Sequence, residues 1–202
     1  MLQDLLASQV IARGSGEAIV SGDRRMSFAA LDEASTRLGA ALADRGVRPG
    51  DRVVMLLPDC TEFVVVFLGI VKAGAIAVPV DTRVAAPEVG CILGDCAPRV
   101  AFIHSTTSET FGRAAVPVRN VFAVDGQDFG PLVSLHPRRR IALPAGLEAC
   151  VICYAPGSAG KPVGTVLTHA DCCAPEPGRQ LAALGGMLDM LRLGSTLVIP
   201  TR

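Results

Sequence analysis

The sequence predicts an α/β fold with a mainly parallel sheet covered by helices. Its strands are short, continuously apolar runs, as at 52–57 and 75–80, which is typical of strands buried on both faces of a sheet. A very apolar helix at 61–72 separates these two strands, and a helical crossover of this kind joins strands that run in parallel. Half of the 202 residues are hydrophobic, so the chain can bury one good-sized core or two small lobes.

Local signals define the elements along the chain. Residues 17–26 predict a short hairpin around Gly22, and Ser27 is a typical N-cap for a helix that ends at Gly46. Gly74 ends the helix at 61–72. The remaining predicted elements are a short helix at 87–93, strands at 100–104, 121–124, 150–154 and 165–168, an irregular segment at 171–180, a helix at 181–193 and a strand at 196–199.

Proline and arginine interrupt the pattern between 126 and 149. This segment predicts a loop or linker that follows an N-terminal βαβ lobe at 1–125 and precedes an incomplete second lobe at 150–202. The run Arg138-Arg139-Arg140 predicts a solvated surface, with anion binding as the alternative.

Charge and targeting signals exclude several classes of function. The 19 basic and 19 acidic residues balance, which gives no electrostatic case for nucleic acid or an anionic membrane as a partner. The apolar stretch 63–80 carries Lys72 at its centre, so a helix followed by a buried strand explains it better than a membrane span. The first residues lack a secretory signal, and we therefore expect a cytoplasmic protein with reduced thiols.

The cysteines and histidines allow a metal site or an ordinary buried role. Cys150 and Cys153 with Cys172-Cys173 suggest zinc, but a strand would send Cys150 and Cys153 to opposite faces, which favours buried thiols and no metal. Cys91 and Cys96, near a short helix end, have the same interpretation. His104, His136 and His169 form no recognisable triad, and Asp81, Asp95 and Asp125 are interpreted as turn or cap residues.

Residues 154–169 form a glycine-rich turn between two β-branched runs. Gly157, Gly160 and Gly164 permit close approach and positive φ, so the turn can direct several backbone N–H groups at a phosphate.

Several ordered blocks resemble the adenylate-forming superfamily of acyl- and aryl-CoA synthetases, luciferases and peptide-synthetase adenylation domains. Within that superfamily the turn is most similar to benzoate-type CoA ligases. The blocks are Arg25–Leu31 with Asp32-Glu33, Gly46–Val53, Leu57–Asp59, Phe67–Gly69, Lys72–Ala75, Val78–Val80 and, as the phosphate-loop signature, 154–169. The resemblance implies that the sheet is the first lobe of such an enzyme, and that a stretch between Asp171 and Leu181 is deleted.

The resemblance also implies chemistry and site residues. Members join a carboxylic acid to AMP with ATP and Mg²⁺ and then pass the acyl group to coenzyme A. The pattern assigns nucleotide-phosphate binding to Gly157, Ser158, Gly160, Lys161 and Gly164, with Lys161 and His169 as the candidates for catalysis.

The chain also departs from the family pattern. Val163 replaces the usual Lys, and Ala155, Pro156 and Ala159 replace hydroxyl residues, although Pro also occurs at 156 in benzoate-type ligases. No segment resembles the Tyr-Gly-x-Thr-Glu block, the ribose-binding Asp or the catalytic Lys of the lid.

Three hypotheses of function follow. The chain is a truncated, degenerate synthetase with little or no activity alone, a non-catalytic binding or interaction module for a carboxylic acid or nucleotide, or one half of a split adenylating enzyme. A missing lobe would leave an open edge, so we expect a homo-oligomer or a partner chain to cover it.

Overall fold

The computed structural model describes residues 1–157, 161–174 and 184–200. It has helices and strands in alternation, with a 3-10 turn at Ser105–Thr107. The helices are α1 Leu2–Arg13, α2 Phe28–Asp44, α3 Thr61–Lys72, α4 Ala86–Cys96, α5 Ser108–Arg113, α6 Phe129–Ser134, α7 His169–Cys173 and α8 Gly185–Leu193. The strands are β1 Glu17–Ser21, β2 Arg24–Ser27, β3 Arg52–Leu56, β4 Ile76–Pro79, β5 Val100–Ile103, β6 Asn120–Ala123, β7 Ala149–Ala155, β8 Val163–Thr168 and β9 Leu197–Ile199.

Six strands form the main sheet in the order β6-β5-β3-β4-β7-β8. All neighbours are parallel except β7 and β8, which are antiparallel, so the predicted mainly parallel sheet is confirmed. Side chains of β3 alternate between two cores: Val53 and Met55 face the core made with α1, α2 and α3, whereas Val54 and Leu56 face the core made with α4. The helices therefore cover both faces, as the continuous apolar strands predict.

Helices α2 and α3 pack closely because glycine lies at their contact. A Cβ added at Gly69 would lie 2.8 Å from the side chain of Leu38, and one added at Gly39 would lie 3.1 Å from the backbone oxygen of Gly69. The predicted cap of α2 is present, since the Ser27 hydroxyl accepts a hydrogen bond from the N–H of Ala30 at 3.1 Å. Helix α3 has the predicted bounds.

The second sheet joins the two ends of the chain. The predicted hairpin β1–β2 is present, and β9 lies parallel to β1, with Ile19 opposite Leu197. The segment 150–202 thus supplies strands to both sheets, and the linker at 126–149 does not separate one sheet from the other.

Four helices, α1, α5, α6 and α7, lie where no helix was predicted, and α5 follows the 3-10 turn after β5. Helix α1 buries Leu2 and Leu6, whose spacing of four residues was the available signal. Helix α6 lies inside the predicted loop at 126–149 and is anchored by the buried side chains of Phe129 and Leu132. Helix α7 begins the segment predicted as irregular, most of which lies outside the described residues.

The arginine run is exposed, as predicted, and Arg138 also joins an ionic network between α2 and α3. Lys72 Nζ donates hydrogen bonds to Asp32 Oδ1 at 2.8 Å, Ser35 Oγ at 2.8 Å and Thr36 Oγ1 at 2.9 Å. Arg138 then reaches Asp32 Oδ2 at 2.7 Å, so it is not only a solvated residue. Burial would raise the pKa of Asp32, but hydrogen bonds from the two cations hold this pKa below its usual value.

The cysteines are free thiols. The prediction that Cys150 and Cys153 face opposite sides of the sheet is wrong: both pack on the same core, because the register of β7 shifts between Ala149 and Val151. In residues 1–157, 161–174 and 184–200, no group of three His, Cys, Asp or Glu side chains is arranged for a metal. The same residues include no helix both long and apolar enough to span a membrane.

Candidate active-site loop

The glycine-rich turn lies at the carboxyl edge of the main sheet. Strand β7 runs parallel to β4, with Ala77 opposite Val151, and ends at Ala155. In open α/β sheets, ligands bind outside the carboxyl ends of the parallel strands. The loop 156–162 therefore starts at the position where a ligand site is expected.

Glycine is needed in this hairpin for close approach. A Cβ at Gly157 would lie 2.3 Å from the backbone oxygen of Lys161 and 2.7 Å from Val163 Cγ2. A Cβ at Gly164 would lie 3.1 Å from the ring of Tyr154, the residue opposite it in the ladder. Neither glycine has a positive φ, so close approach, and not left-handed backbone, is what requires glycine at these two positions.

The predicted phosphate-binding residues are only partly described. Gly157 and Gly164 lie at the two sides of the turn, and Lys161 is exposed just before β8. Ser158 and Gly160 lie outside the described residues. Val163 is 58% exposed, so the side chain at this position faces solvent. A valine there supplies no positive charge to a ligand.

His169 is held by structural contacts. It is the first residue of α7, and its N–H donates to the backbone oxygen of Glu148 at 2.8 Å. His169 is buried, with a relative exposure of 7%. Its Nδ1 accepts a hydrogen bond from the N–H of Leu2 at 3.3 Å. Burial lowers the pKa of His169 and favours the neutral ring that this contact requires. The placement supports a structural role, in which His169 joins α7 to the start of α1.

Polar residues after β5 and β6 share the same edge of the sheet. His104 Nε2 lies 3.4 Å from Asp125 Oδ2, and Asp125 Oδ1 accepts the N–H of Ser105 at 3.0 Å. The pair caps the 3-10 turn, and His104 Nδ1 contacts Thr106 Oγ1 at 2.9 Å. Sequence reasoning treated His104 and Asp125 separately. The signal that links them is their place directly after adjacent parallel strands.

Of the other aspartates, Asp81 stabilises a turn by accepting the N–H of Arg83 at 2.9 Å. Asp95 instead accepts a hydrogen bond from the hydroxyl of Tyr154, which ties α4 to the carboxyl end of β7.

The described residues thus bring to the loop a closely packed glycine hairpin and the cation of Lys161, and they leave His169 in the core. Such an arrangement suits an anionic ligand held by backbone N–H groups and one ammonium group.

Comparison with known proteins gives the family. The model of the AMP-binding enzyme family matches residues 7–179. The chain is 35% identical over 162 residues to the long-chain-fatty-acid–CoA ligase FadD13 of Mycobacterium tuberculosis, a match that covers 74% of this chain and 31% of that protein. It is 32% identical over 168 residues to the isonitrile lipopeptide synthase of the same organism, covering 83% of this chain and 6% of that protein.

The fold agrees with these matches. The N-terminal domain of FACL13 from M. tuberculosis superposes with a TM-score of 0.86 at 26% identity, over 99% of this chain and 56% of that one. The chain spans less than a third of the length of the ligase FadD13 and of the isonitrile lipopeptide synthase. The motifs, the sheet and the extent of the match agree, and this chain belongs to the AMP-binding family of adenylate-forming enzymes.

Proposed function

We propose that this chain is the N-terminal part of an acyl- or aryl-CoA synthetase, and that the 202-residue polypeptide has little or no ligase activity by itself. The observation that carries the proposal is the close-packed glycine hairpin at the carboxyl edge of a sheet with this family's fold. A site at this edge can receive the triphosphate of ATP, while the rest of the chemistry needs groups that these residues do not contain.

The reaction explains why the remaining groups matter. The attacking carboxylate and the α-phosphate are both anionic, so catalysis must neutralise charge and hold the two reactants in line. Glycine backbone and Lys161 can bind phosphate oxygens, but Val163 stands where the family resemblance implies a Lys. None of the 202 residues resembles the adenine and ribose contacts or the lid that would orient the acid.

The fit of each cofactor differs. Because Gly157 has no Cβ, the two sides of the turn can approach closely. A compact turn of this kind suits phosphate groups held by backbone N–H groups. Gly157, Ser158, Gly160, Lys161 and Gly164 would form this contact. Mg²⁺ and coenzyme A belong to the chemistry of the full enzyme. Because the described part of the chain has no cluster of three metal-binding side chains, we assign no step to Mg²⁺ here.

A thermal-shift titration with ATP tests the retained phosphate site. At ten times the dissociation constant, a ligand that binds only the folded chain stabilises it by about 1.4 kcal/mol, which is a few degrees for a protein of this size. We expect Lys161→Ala to lose most of the shift, and Arg113→Ala, another exposed cation, to keep it. Tripolyphosphate in place of ATP separates phosphate binding from nucleoside binding. No shift with either ligand at millimolar concentration would contradict the retained site.

An aryl acid is the substrate class that we propose within the family. The support is the similarity of Pro156-Gly157-Ser158, Gly164-Thr165-Val166 and Thr168-His169-Ala170 to benzoate-type ligases. Stabilisation of the chain by benzoyl-AMP beyond that given by a long-chain acyl-AMP would support this branch. The opposite order would favour the fatty-acid branch, to which FadD13 belongs by name.

A split enzyme or an interaction module is the second candidate. The described strands β8 and β9 lie at sheet edges, and they expose Val166 at 57% and Val198 at 68%. Apolar side chains on open edges favour a covering chain, either a second copy or a polypeptide with the remaining lobe. Light scattering after size-exclusion chromatography should show self-association at micromolar concentration. A clean monomer would exclude a second copy as the covering chain and leave a separate polypeptide with the remaining lobe. We also propose a cytoplasmic location, because free thiols are typical of a reducing compartment and the chain has seven.

A further inference from the structure

Two buried cysteines meet beside the glycine hairpin. Cys150 Sγ at the register shift of β7 lies 3.5 Å from Cys172 Sγ in α7. Both residues have 0% exposure. A disulfide bond is about 2 Å long, so these sulfurs need to approach by only about 1.5 Å to be joined. The contact links the strand that enters the loop to the helix that follows the strand leaving it.

The chemistry of the pair is asymmetric. Either sulfur can donate in this contact, which raises the pKa of the buried Cys150 thiol and lowers that of Cys172. Asp171 and Cys173 also face the pair and oppose a second negative charge. Cys172 is thus the sulfur better suited to react first, since the thiolate is the nucleophile.

We propose that Cys150 and Cys172 are an oxidation site, at which hydrogen peroxide joins the two ends of the phosphate-loop hairpin through a reversible disulfide bond. Because both sulfurs are buried, the oxidant must be small, and hydrogen peroxide meets this requirement. The bond would enclose the whole turn 156–162 between its two ends.

The reaction balances in two steps. The thiolate of Cys172 attacks one peroxide oxygen, so that an S–O bond forms, the O–O bond breaks and the hydroxide leaves as water with the proton that Cys172 released. The sulfur of Cys150 then attacks the sulfenic acid of Cys172. The S–S bond forms, the S–O bond breaks, and the hydroxide leaves as a second water with the proton of Cys150. Two thiols are oxidised and one peroxide is reduced to two waters.

Peptide mapping after peroxide treatment tests the site. Cleavage before aspartate places Cys150 and Cys153 in the peptide 128–170, and Cys172 and Cys173 in the peptide 171–188. We expect the treated chain to yield these two peptides linked, with a mass lower by two hydrogens than their sum, and dithiothreitol to separate them. Cys91 is exposed and serves as the internal measure that the peroxide has acted.

Matched variants identify the sulfurs. Cys172→Ser should abolish the linked product, whereas Cys173→Ser and Cys153→Ser should leave it unchanged. The measurement on the unmodified chain does not depend on whether Cys172→Ser folds. Oxidised Cys91 with unlinked peptides would overturn the proposal, and so would a link that persists in Cys172→Ser and disappears in Cys173→Ser.

Discussion

The centre of the sheet and the glycine hairpin belong to one sheet but are built differently. Strand β3 pairs on both sides, and its residues Val53–Leu56 are completely buried. Strand β8 pairs only with β7, and its first four residues are exposed. The centre is constrained by packing, whereas the hairpin is constrained by turn geometry and by whatever binds it. A substitution in the hairpin should therefore disturb the fold less than one at the centre of the sheet.

The two lysines of the chain give the largest expected contrast. Lys72→Met should reduce the free energy of unfolding by about 3 kcal/mol, because it leaves the buried carboxylate of Asp32 without one of its two cations. Lys161→Met in the exposed loop should change stability by less than about 0.5 kcal/mol. Urea denaturation of both variants measures the contrast. Equal losses would show that the loop is as constrained as the core.

The same substitution in the two regions gives the next largest difference. Val54→Ala in β3 removes two methyl groups from a fully buried site and should cost about 2 kcal/mol. Val166→Ala in β8 removes them from a side chain that is 57% exposed, so we expect a change within about 0.5 kcal/mol. A larger loss for Val166→Ala would indicate that a second copy buries β8 in solution.

The stability of the hairpin end should depend on pH through His169. Its folded-state pKa is lowered from 6.5, so the unfolded chain binds more protons as the pH falls below this value. The stabilisation is therefore complete above pH 6.5 and is lost on acidification toward the folded-state pKa, with a slope of up to about 1.4 kcal/mol per pH unit. Unfolding measured between pH 7.5 and about pH 5 should show a shallower slope in His169→Gln than in the unmodified chain. Identical slopes in the two proteins would show that a group other than His169 takes up the proton on unfolding.

The parts that sequence analysis predicted well are those set by local signals. Ser27, Gly46 and Gly74 defined the ends of α2 and α3, and continuous apolar strands gave the parallel sheet. The missed features depend on distant contacts. The register shift that turns Cys150 toward Cys172 and the reach of Arg138 to Asp32 over 106 positions have no local pattern.

The candidate site was predictable as a turn but not in its detail. The glycines located the turn in the sequence, whereas its place at the carboxyl edge of the sheet follows from the pairing of β7 with β4. Steric closeness to Lys161 and Tyr154, and not a positive φ, is what requires Gly157 and Gly164. This distinction needs the neighbours across the hairpin, which only the folded chain brings together.

A lysine introduced at position 163 should have the smallest effect. Val163 is exposed, so Val163→Lys should fold with a free energy of unfolding within about 0.5 kcal/mol of the unmodified chain. We expect it to strengthen the thermal shift given by tripolyphosphate without producing ligase activity, because one cation does not orient a carboxylate. Acyl-CoA formation by this variant alone would show that the groups outside these 202 residues are dispensable.

The exchange of radiolabelled pyrophosphate into ATP tests the central claim most directly. The account predicts that the purified 202-residue chain gives no exchange that depends on added benzoate or a fatty acid, even at ATP concentrations that produce the thermal shift. A full-length synthetase of the family, assayed in parallel, provides the positive control. Acid-dependent exchange by the purified chain would contradict the account, because it would show that these residues adenylate a carboxylic acid alone.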